Sequence, residues 1–218
     1  MPELEIYLIR HGQSTANASG VWQGQMEFPL SEEGRLQARL AGKALAGEPF
    51  DAIYSSPLGR AFETAEIIAR ETGYPGEIVP LEGLMERHGG SLEGTTQAER
   101  EARNPALAQK LLALPEEERW TLVGAETDEE VLERFEAAIS GIRARHRGVG
   151  SRLVVVSHGG VMRAYLRAHF GPGILPGTVR AANASITRIA WGESGEPRLL
   201  ELASTRHLSS TPRVSLTE

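Results

Sequence analysis

The sequence predicts a single α/β/α domain of three layers, in which a mostly parallel central sheet lies between helices. Short apolar runs rich in β-branched residues alternate along the chain with segments whose apolar residues recur at helical spacing. Strands that alternate with helices in this way favour a parallel sheet covered on both faces. No internal repeat or long linker divides the 218 residues, so we expect one domain over 1–218.

The first half of the chain predicts two strand–helix units. Residues 6–9 and 52–54 are expected to be short strands, and helices are expected over 31–46 and 59–72. Ser31 is the expected N-cap of the first helix, because two glutamates follow it in the first turn. The residues of this helix that we expect to face inward are Leu36, Leu40 and Leu45.

Residues 81–124 are expected to cover a substrate site, as an insertion in the domain. The stretch 81–94 is rich in glycine and charge and predicts a loop, whereas 99–112 predicts a helix interrupted near Asn104 and Pro105. Side chains suited to substrate selection are spread through this segment. They are Arg87, Arg100, Arg103, Lys110 and Trp120.

The last part of the chain predicts a long helix and then a buried strand. Thr127 and Glu130 form a capping box that begins a helix to about Arg145. The uncharged run 153–156 is typical of a buried strand, and a helix is expected from about Val161. The remaining expected elements are strands over 186–191 and 199–202 and a polar tail over 204–218.

The composition argues against several kinds of partner and chemistry. A formal net charge of −6 disfavours a surface that binds nucleic acid or an anionic membrane. The absence of cysteine removes disulfides, thiolate metal sites and thiol nucleophiles. The sequence contains neither a signal peptide nor an apolar stretch long enough to span a bilayer, so we expect a cytoplasmic protein. A homodimer is compatible with the sequence, which does not reveal the oligomeric state.

Polar residues suited to binding an anion follow three of the predicted strands. Arg10 and His11 come after the first strand, Arg60 follows the second, and His158 follows the strand at 153–156. Because ligands of open parallel sheets bind at the carboxyl ends of the strands, these side chains converge if the strands are neighbours. Two histidines and two arginines in one place form a site for an anion such as phosphate.

Five segments resemble the histidine phosphatase superfamily, the phosphoglycerate mutase-like proteins, and they occur in the order found in that family. They are 8–17 with Arg10-His11-Gly12, 24–38 with Pro29-Leu30-Ser31, 55–65 with Ser55-Ser56-Pro57 and Arg60, 84–94 with Glu86, and 157–163 with His158-Gly159-Gly160. The resemblance implies the fold of that family and its phosphatase branch. It also implies a small phosphorylated metabolite as substrate, with no metal and no other cofactor.

These residues are suited to distinct roles in phosphoryl transfer. A neutral imidazole is a competent nucleophile, so His11 is expected to attack phosphorus and form a phosphohistidine. Arg10 and Arg60 are expected to hold the phosphoryl oxygens, and His158, if protonated, adds a further donor. Glu86 is expected to protonate the leaving alkoxide and then to activate water. The predicted substrate-binding residues are Arg10, Ser14, Asn17, Gly24, Arg60, Glu86, His158 and Gly159.

Several of these assignments have structural alternatives. Arg60 could instead neutralise Glu63 on its own helix, and Glu93 is the alternative proton donor to Glu86. A histidine after a buried strand, such as His158, is often a hydrogen-bonded structural residue. The other histidines are expected to be structural or at the surface: His88, His146, His169 and His207.

A cofactor-dependent phosphoglycerate mutase is the nearest alternative function. Glu86-Arg87-His88 resembles the mutase version of its loop. However, Gly89 stands where such mutases carry a tyrosine, and Gln97 stands where they carry a lysine that binds substrate. Loss of cationic ligands weakens the binding of a substrate that bears a carboxylate. The sequence therefore favours a phosphatase.

Two further functions belong to other classes. A metal-dependent hydrolase would use His11, His158 and Glu86 as ligands, but the neighbouring arginines would repel a cation. A non-catalytic phosphate-binding protein on the same fold would usually lack one catalytic residue, and none is missing from this sequence.

Overall fold

The computed structural model describes residues 4–146, 150–175, 181–192 and 194–210. Within these residues, six strands form one sheet. The strands are β1 (Leu4–Arg10), β2 (Ala52–Ser55), β3 (Ile78–Pro80), β4 (Ser151–Ser157), β5 (Ile186–Trp191) and β6 (Pro197–Ser204). Their order across the sheet is β3-β2-β4-β1-β5-β6. The first four in this order are parallel, whereas β5 and β6 are antiparallel to their neighbours.

Helices cover both faces of this sheet, which confirms the predicted three-layer architecture. They are α1 (Thr15–Ala18), α2 (Glu32–Ala44), α3 (Gly59–Thr72), α4 (Gln97–Arg103), α5 (Pro105–Ala113), α6 (Glu116–Val123), α7 (Asp128–Arg145) and α8 (Gly159–Phe170). Short 3₁₀ turns lie at Glu82–Leu84, Gly90–Leu92 and Arg206–Ser210. None of the helices within the described residues is long and apolar enough to cross a membrane.

The strand β4 shows why a continuous apolar run forms the centre of this sheet. Leu153 and Val155 pack in the core that includes α7 and α8, whereas Val154 and Val156 pack in the core on the side of α2 and α3. All four side chains are fully buried. A parallel strand covered on both faces therefore needs apolar residues at every position rather than at alternate ones.

The predicted inward face of α2 is wrong in two of its three residues. Leu45 is buried, but Leu36 and Leu40 are only half-buried. The buried face of α2 consists of small residues, which are Gly34, Ala38, Ala41 and Gly42. A Cβ atom on Gly42 would lie 2.6 Å from Cβ of Glu71 on α3, so the close approach of the two helices selects small side chains.

The segment 81–124 is more ordered than the predicted loop and interrupted helix. Two 3₁₀ turns lie within the expected loop 81–94, and α4 and α5 meet at Asn104, as the sequence predicted. The helix α6 and the edge strand β3 were not predicted. Residues 206–210 of the polar tail form a 3₁₀ turn, and 211–218 lie outside the described residues.

Candidate active site

The pairing of β1 with β4 brings the two predicted catalytic histidines together. Arg10 is the register partner of Ser157, so the next residue of each strand leaves the sheet at the same edge. The backbone N–H of His11 donates to the carbonyl of Ser157 at 3.0 Å, and the imidazole centroids of His11 and His158 are 5.0 Å apart. The convergence expected from strand topology is therefore present.

His11 is held as a neutral imidazole with a defined tautomer. Its Nδ1 atom lies 2.7 Å from the carbonyl oxygen of Gly12. Because a carbonyl oxygen only accepts, Nδ1 carries the proton and Nε2 keeps its lone pair. Burial, followed by the proximity of His158 and then by the charges of Arg10 and Arg60, holds the pKa of His11 well below its usual value. The ring can therefore act as a nucleophile near neutral pH.

His158 is fully buried against Ser56. Its Nε2 atom lies 2.8 Å from Oγ of Ser56, while Nδ1 is buried without a hydrogen-bond partner in the described part of the chain. Burial, and then the charges of Arg60 and Arg10, hold the pKa of His158 well below its usual value. The structure thus favours a neutral His158, because two arginine cations lie near a desolvated imidazole.

The two predicted arginines are fixed by backbone carbonyls. Arg60 is 1% exposed and donates from Nη2 to Gly24 at 2.7 Å and from Nη1 to Met26 at 2.9 Å. Arg10 donates from Nη1 to the carbonyl of Ala181 at 2.6 Å. The alternative ion pair of Arg60 with Glu63 is not formed; the carboxylate of Glu63 instead accepts from Arg35.

The predicted neutral ligands differ in their positions. Asn17 lines the cavity, and its Oδ1 accepts from the backbone N–H of Ser14 and from Nδ2 of Asn183, both at 3.2 Å. The amide nitrogen of Asn17 is then the donor that remains for a ligand. Ser14 is fully buried and does not line the cavity, because its hydroxyl caps α1 and donates to Gln23 at 2.6 Å.

Glu86 caps the helix that follows His158. Its carboxylate accepts from the backbone N–H of Gly160 at 2.9 Å and from that of Val161 at 3.0 Å, in the first turn of α8. The alternative acid, Glu93, accepts from the backbone N–H groups of Gln25 and Gly89 at 2.9 and 2.7 Å. Glu93 thus ties two loops together and is absent from the cavity lining, whereas Glu86 is part of it.

These groups surround a cavity of about 210 Å³. The predicted site residues that line it are Arg10, His11, Asn17, Gly24, Arg60 and Glu86. His158, Ser14 and Gly159 are not in the lining. A Cβ atom on Gly159 would lie 3.1 Å from Nε of Arg10, so this glycine leaves room for the guanidinium. Of the candidate selectivity residues in 81–124, those that line the cavity are Arg87, Arg100 and Trp120.

Residues 6–205 match the family model of the histidine phosphatase superfamily, branch 1. The chain belongs to this superfamily. The match covers all three strand ends that meet at the cavity, and it confirms the resemblance seen in the sequence.

Named relatives of this histidine phosphatase include phosphatases and mutases. A metal-independent phosphoserine phosphatase of Arabidopsis thaliana is 39% identical over 171 residues, covering 75% of this chain and 68% of the relative. A glucosyl-3-phosphoglycerate phosphatase of Mycolicibacterium vanbaalenii is 32% identical, covering 76% and 74%. The crystal structure of a phosphoglycerate mutase from Bacillus anthracis superposes with a TM-score of 0.81 at 25% identity, covering 94% and 95%. The family and the phosphatase relatives confirm the predicted phosphatase class.

Some residues that shape this histidine phosphatase site were not found by sequence reasoning. Arg134 on α7 donates from Nη1 to the carbonyl of Met85 at 2.7 Å and from Nη2 to that of Glu86 at 3.0 Å. Asn183 donates to the carbonyl of His11 at 3.0 Å, and Trp22 lines the cavity. Arg134 and Asn183 act through contacts distant in sequence, which no local pattern reveals.

In the described part of the chain, no three side chains of histidine, aspartate or glutamate are arranged to hold a metal ion. The other histidines lie apart from the cavity lining. His146 is 2.8 Å from the hydroxyl of Tyr54, His169 is 2.9 Å from Glu136, and His207 is 3.0 Å from the carbonyl of Ala184.

Proposed function

We propose that this histidine phosphatase hydrolyses a small phosphomonoester, without a metal, through a phosphohistidine on His11. The orientation of the His11 ring carries the proposal. Its Nδ1–H is engaged by the carbonyl of Gly12 at 2.7 Å, so the unprotonated Nε2 is the nitrogen that can attack phosphorus. Arg10 and Arg60 line the same cavity and supply positive charge for the phosphoryl oxygens.

In the first step, Nε2 of His11 forms a bond to phosphorus as the bond to the ester oxygen breaks. Negative charge on the phosphoryl oxygens is stabilised by the guanidinium groups of Arg10 and Arg60, which are positioned before the substrate arrives. Asn17, which lines the cavity, donates from its amide nitrogen to a phosphoryl oxygen. In this proposal Glu86 enters the step protonated and gives its proton to the leaving alkoxide.

In the second step, water breaks the phosphohistidine. Glu86, now a carboxylate, takes a proton from water while the water oxygen bonds to phosphorus and the bond to Nε2 breaks. Inorganic phosphate leaves, and His11 returns to its neutral form. The same carboxylate serves both steps because the leaving oxygen and the attacking water occupy the same side of phosphorus in turn.

Residues 81–124 act in this proposal as the segment that selects the alcohol part of the substrate. They contribute Arg87, Arg100 and Trp120 to the cavity, while Arg103 and Lys110 are exposed. We assign this role within one domain over 1–218. The substrates named in two relatives, phosphoserine and a glucosyl phosphoglycerate, are both small phosphomonoesters.

A phosphoglycerate mutase is the second candidate, supported by the loop Glu86-Arg87-His88 and by the structural similarity to a mutase. Two contacts favour hydrolysis instead. Arg87 bonds the carbonyl of Glu126 and the carboxylate of Asp128, which neutralises its charge. A Cβ atom on Gly89 would lie 2.6 Å from Nε1 of Trp22, so Trp22 occupies the space that a larger side chain would need.

Phosphate release in EDTA, from a panel that includes phosphoserine and 3-phosphoglycerate, tests the proposal. We expect turnover by the native enzyme and a loss of at least about 10³-fold in His11→Ala. His169→Ala, which removes a histidine outside the cavity lining, should retain activity. No release from any ester by the native enzyme would contradict a general phosphatase. Interconversion of phosphoglycerates after addition of 2,3-bisphosphoglycerate would then indicate the mutase.

A further inference from the structure

A second cavity adjoins the one that contains His11. Its volume is about 170 Å³, and it shares four lining residues with the catalytic cavity: Trp22, Arg100, Trp120 and Arg163. Together the cavities of about 210 and 170 Å³ reach the lower end of the roughly 300–1,000 Å³ that small-molecule sites occupy. In the proposed function the phosphoryl group binds beside His11 in the first cavity, which leaves the second cavity for the alcohol.

The far wall of the second cavity is apolar. It is formed by Leu92, Ala108, Leu111 and Leu112. Leu92 and Trp120 belong to one buried cluster, against which Trp22 and Leu111 pack. The indole rings of Trp22 and Trp120 lie 5.8 Å apart at the junction of the two cavities.

The helix α5 presents apolar surface that the described residues leave uncovered. Its sequence is Pro105-Ala-Leu-Ala-Gln-Lys-Leu-Leu-Ala113, yet none of its residues is buried. Leu112 is 67% exposed although it lines the second cavity. Apolar side chains on this inner wall gain free energy when a ligand removes them from water.

We propose that the second cavity is a subsite for an uncharged, apolar part of the substrate's alcohol. The substrate class is a phosphomonoester of an alkyl or aryl alcohol rather than of a small polar acid. This inference rests on the proposed function, since it assigns the alcohol side of the same substrate. The chain or ring lies along the contacting indole rings of Trp22 and Trp120 and ends against the leucines of α5.

Charged side chains also lie where the two cavities meet. Arg100 donates from Nη1 to the carbonyl and to Oγ1 of Thr95, at 2.9 and 3.0 Å, which holds its guanidinium beside the passage. The second cavity is also lined by Glu101 and by two further arginines, Arg119 and Arg163. The free energy that an uncharged group gains there comes from its contact with the apolar wall.

Binding of n-alkyl phosphates to the His11→Ala protein, measured by calorimetry, tests the subsite without requiring turnover. Ethyl, butyl and hexyl phosphate share one head group and differ only in apolar length. We expect the dissociation constant to fall about three- to fourfold for each added methylene until the cavity is full. The native enzyme should show the same trend in kcat/KM, because these leaving groups differ little in basicity.

Two phenylalanine substitutions on α5 provide the matched comparison. Ala108 lines the second cavity, whereas Ala106 is exposed and lines neither cavity. In the His11→Ala background, Ala108→Phe should fill the subsite and abolish the dependence on chain length. Ala106→Phe should leave that dependence intact.

Three results would overturn the subsite: equal dissociation constants across the series, an intact series in Ala108→Phe, or tighter binding of 6-phosphohexanoate than of hexyl phosphate. The last would make Arg100 the ligand of a second anion. The dissociation constants of the His11→Ala protein could depend on chain length while the native enzyme hydrolyses none of the esters. That combination would reject the phosphatase proposal and retain the subsite.

Discussion

The hydroxyl of Ser56 lies 2.8 Å from Nε2 of His158 and determines which nitrogen of that ring carries the proton. Oγ of Ser56 already accepts from the backbone N–H of Leu58 at 3.3 Å. Among the described residues, Nε2 of His158 is the acceptor within reach of the serine proton. If the serine donates, one buried group, Nδ1–H of His158, is left without a partner among the described residues; the opposite arrangement leaves two groups unsatisfied. Ser56 is thus a positioning residue.

We predict that Ser56→Ala lowers kcat/KM about tenfold, because a lost buried hydrogen bond costs about 1–3 kcal/mol. Nitrogen-15 spectra of His158 should change from one tautomer, protonated at Nδ1, to a mixture. Ser55→Ala is the matched control, since Oγ of Ser55 bonds the carbonyl of Ser56 rather than the imidazole. Retention of the Nδ1–H tautomer and of native kcat/KM in Ser56→Ala would disprove the assignment.

The two buried histidines should make the unliganded protein less stable in mild acid. Burial and neighbouring cations lower the pKa of His11 and His158 in the folded state. The unfolded histidines take up protons near pH 6.5, so below that pH the unfolded chain binds more protons. The stabilisation is therefore complete above about pH 6.5 and is lost as the pH falls toward the folded-state values.

Each histidine contributes a loss of up to about 1.4 kcal/mol in the free energy of unfolding per pH unit. Urea denaturation of the native protein and of the His11→Asn/His158→Asn variant, from pH 7 to pH 5, measures this contribution. The free energy of unfolding should decrease less for the variant than for the native protein over this pH range. Parallel curves for the two proteins would contradict the prediction.

Gly160 leaves space for the carboxylate of Glu86. A Cβ atom at position 160 would lie 2.5 Å from Oε1 of Glu86. We predict that Gly160→Ala displaces this carboxylate and lowers kcat about 10²-fold, the lower end of what general acid catalysis contributes. Gly141 on α7 has no atom within 4 Å of such a Cβ, so Gly141→Ala should keep kcat and raise stability by up to about 1 kcal/mol. Equal effects of the two substitutions would refute the prediction.

Arg134 supports the loop that carries Glu86. Its guanidinium bonds both carboxylate oxygens of Glu126, at 2.8 and 2.9 Å, as well as the carbonyls of Met85 and Glu86. Arg134→Lys cannot make all these bonds, so we predict a drop in kcat of about tenfold with little change in KM. Arg143→Lys, on the same helix but bonded to the carbonyl of Gly195, should retain kcat. A change in thermal stability alone would show that Arg134 has no effect on the position of Glu86.

The sequence predicted the layers of the fold because each strong signal was local. The run at 153–156 is apolar at every position, and Thr127 with Glu130 satisfies the first N–H groups of α7 as expected. Where the local pattern was weak, the sequence did not predict the observed structure. The edge strand β3 ends in a proline and is only partly buried, and the inward face of α2 depends on its distance from α3 rather than on leucine spacing.

By itself, the sequence determined which residue types stand at the ends of β1, β2 and β4, and it therefore predicted an anion site with His11, His158, Arg10 and Arg60. Only the tertiary structure decided how each group is used. Ser14 caps α1, burial favours a neutral His158, and the carboxylate of Glu86 accepts from the first turn of α8. Tautomer, pKa and cavity shape depend on partners distant along the chain, and these become neighbours only when the sheet and its helices pack.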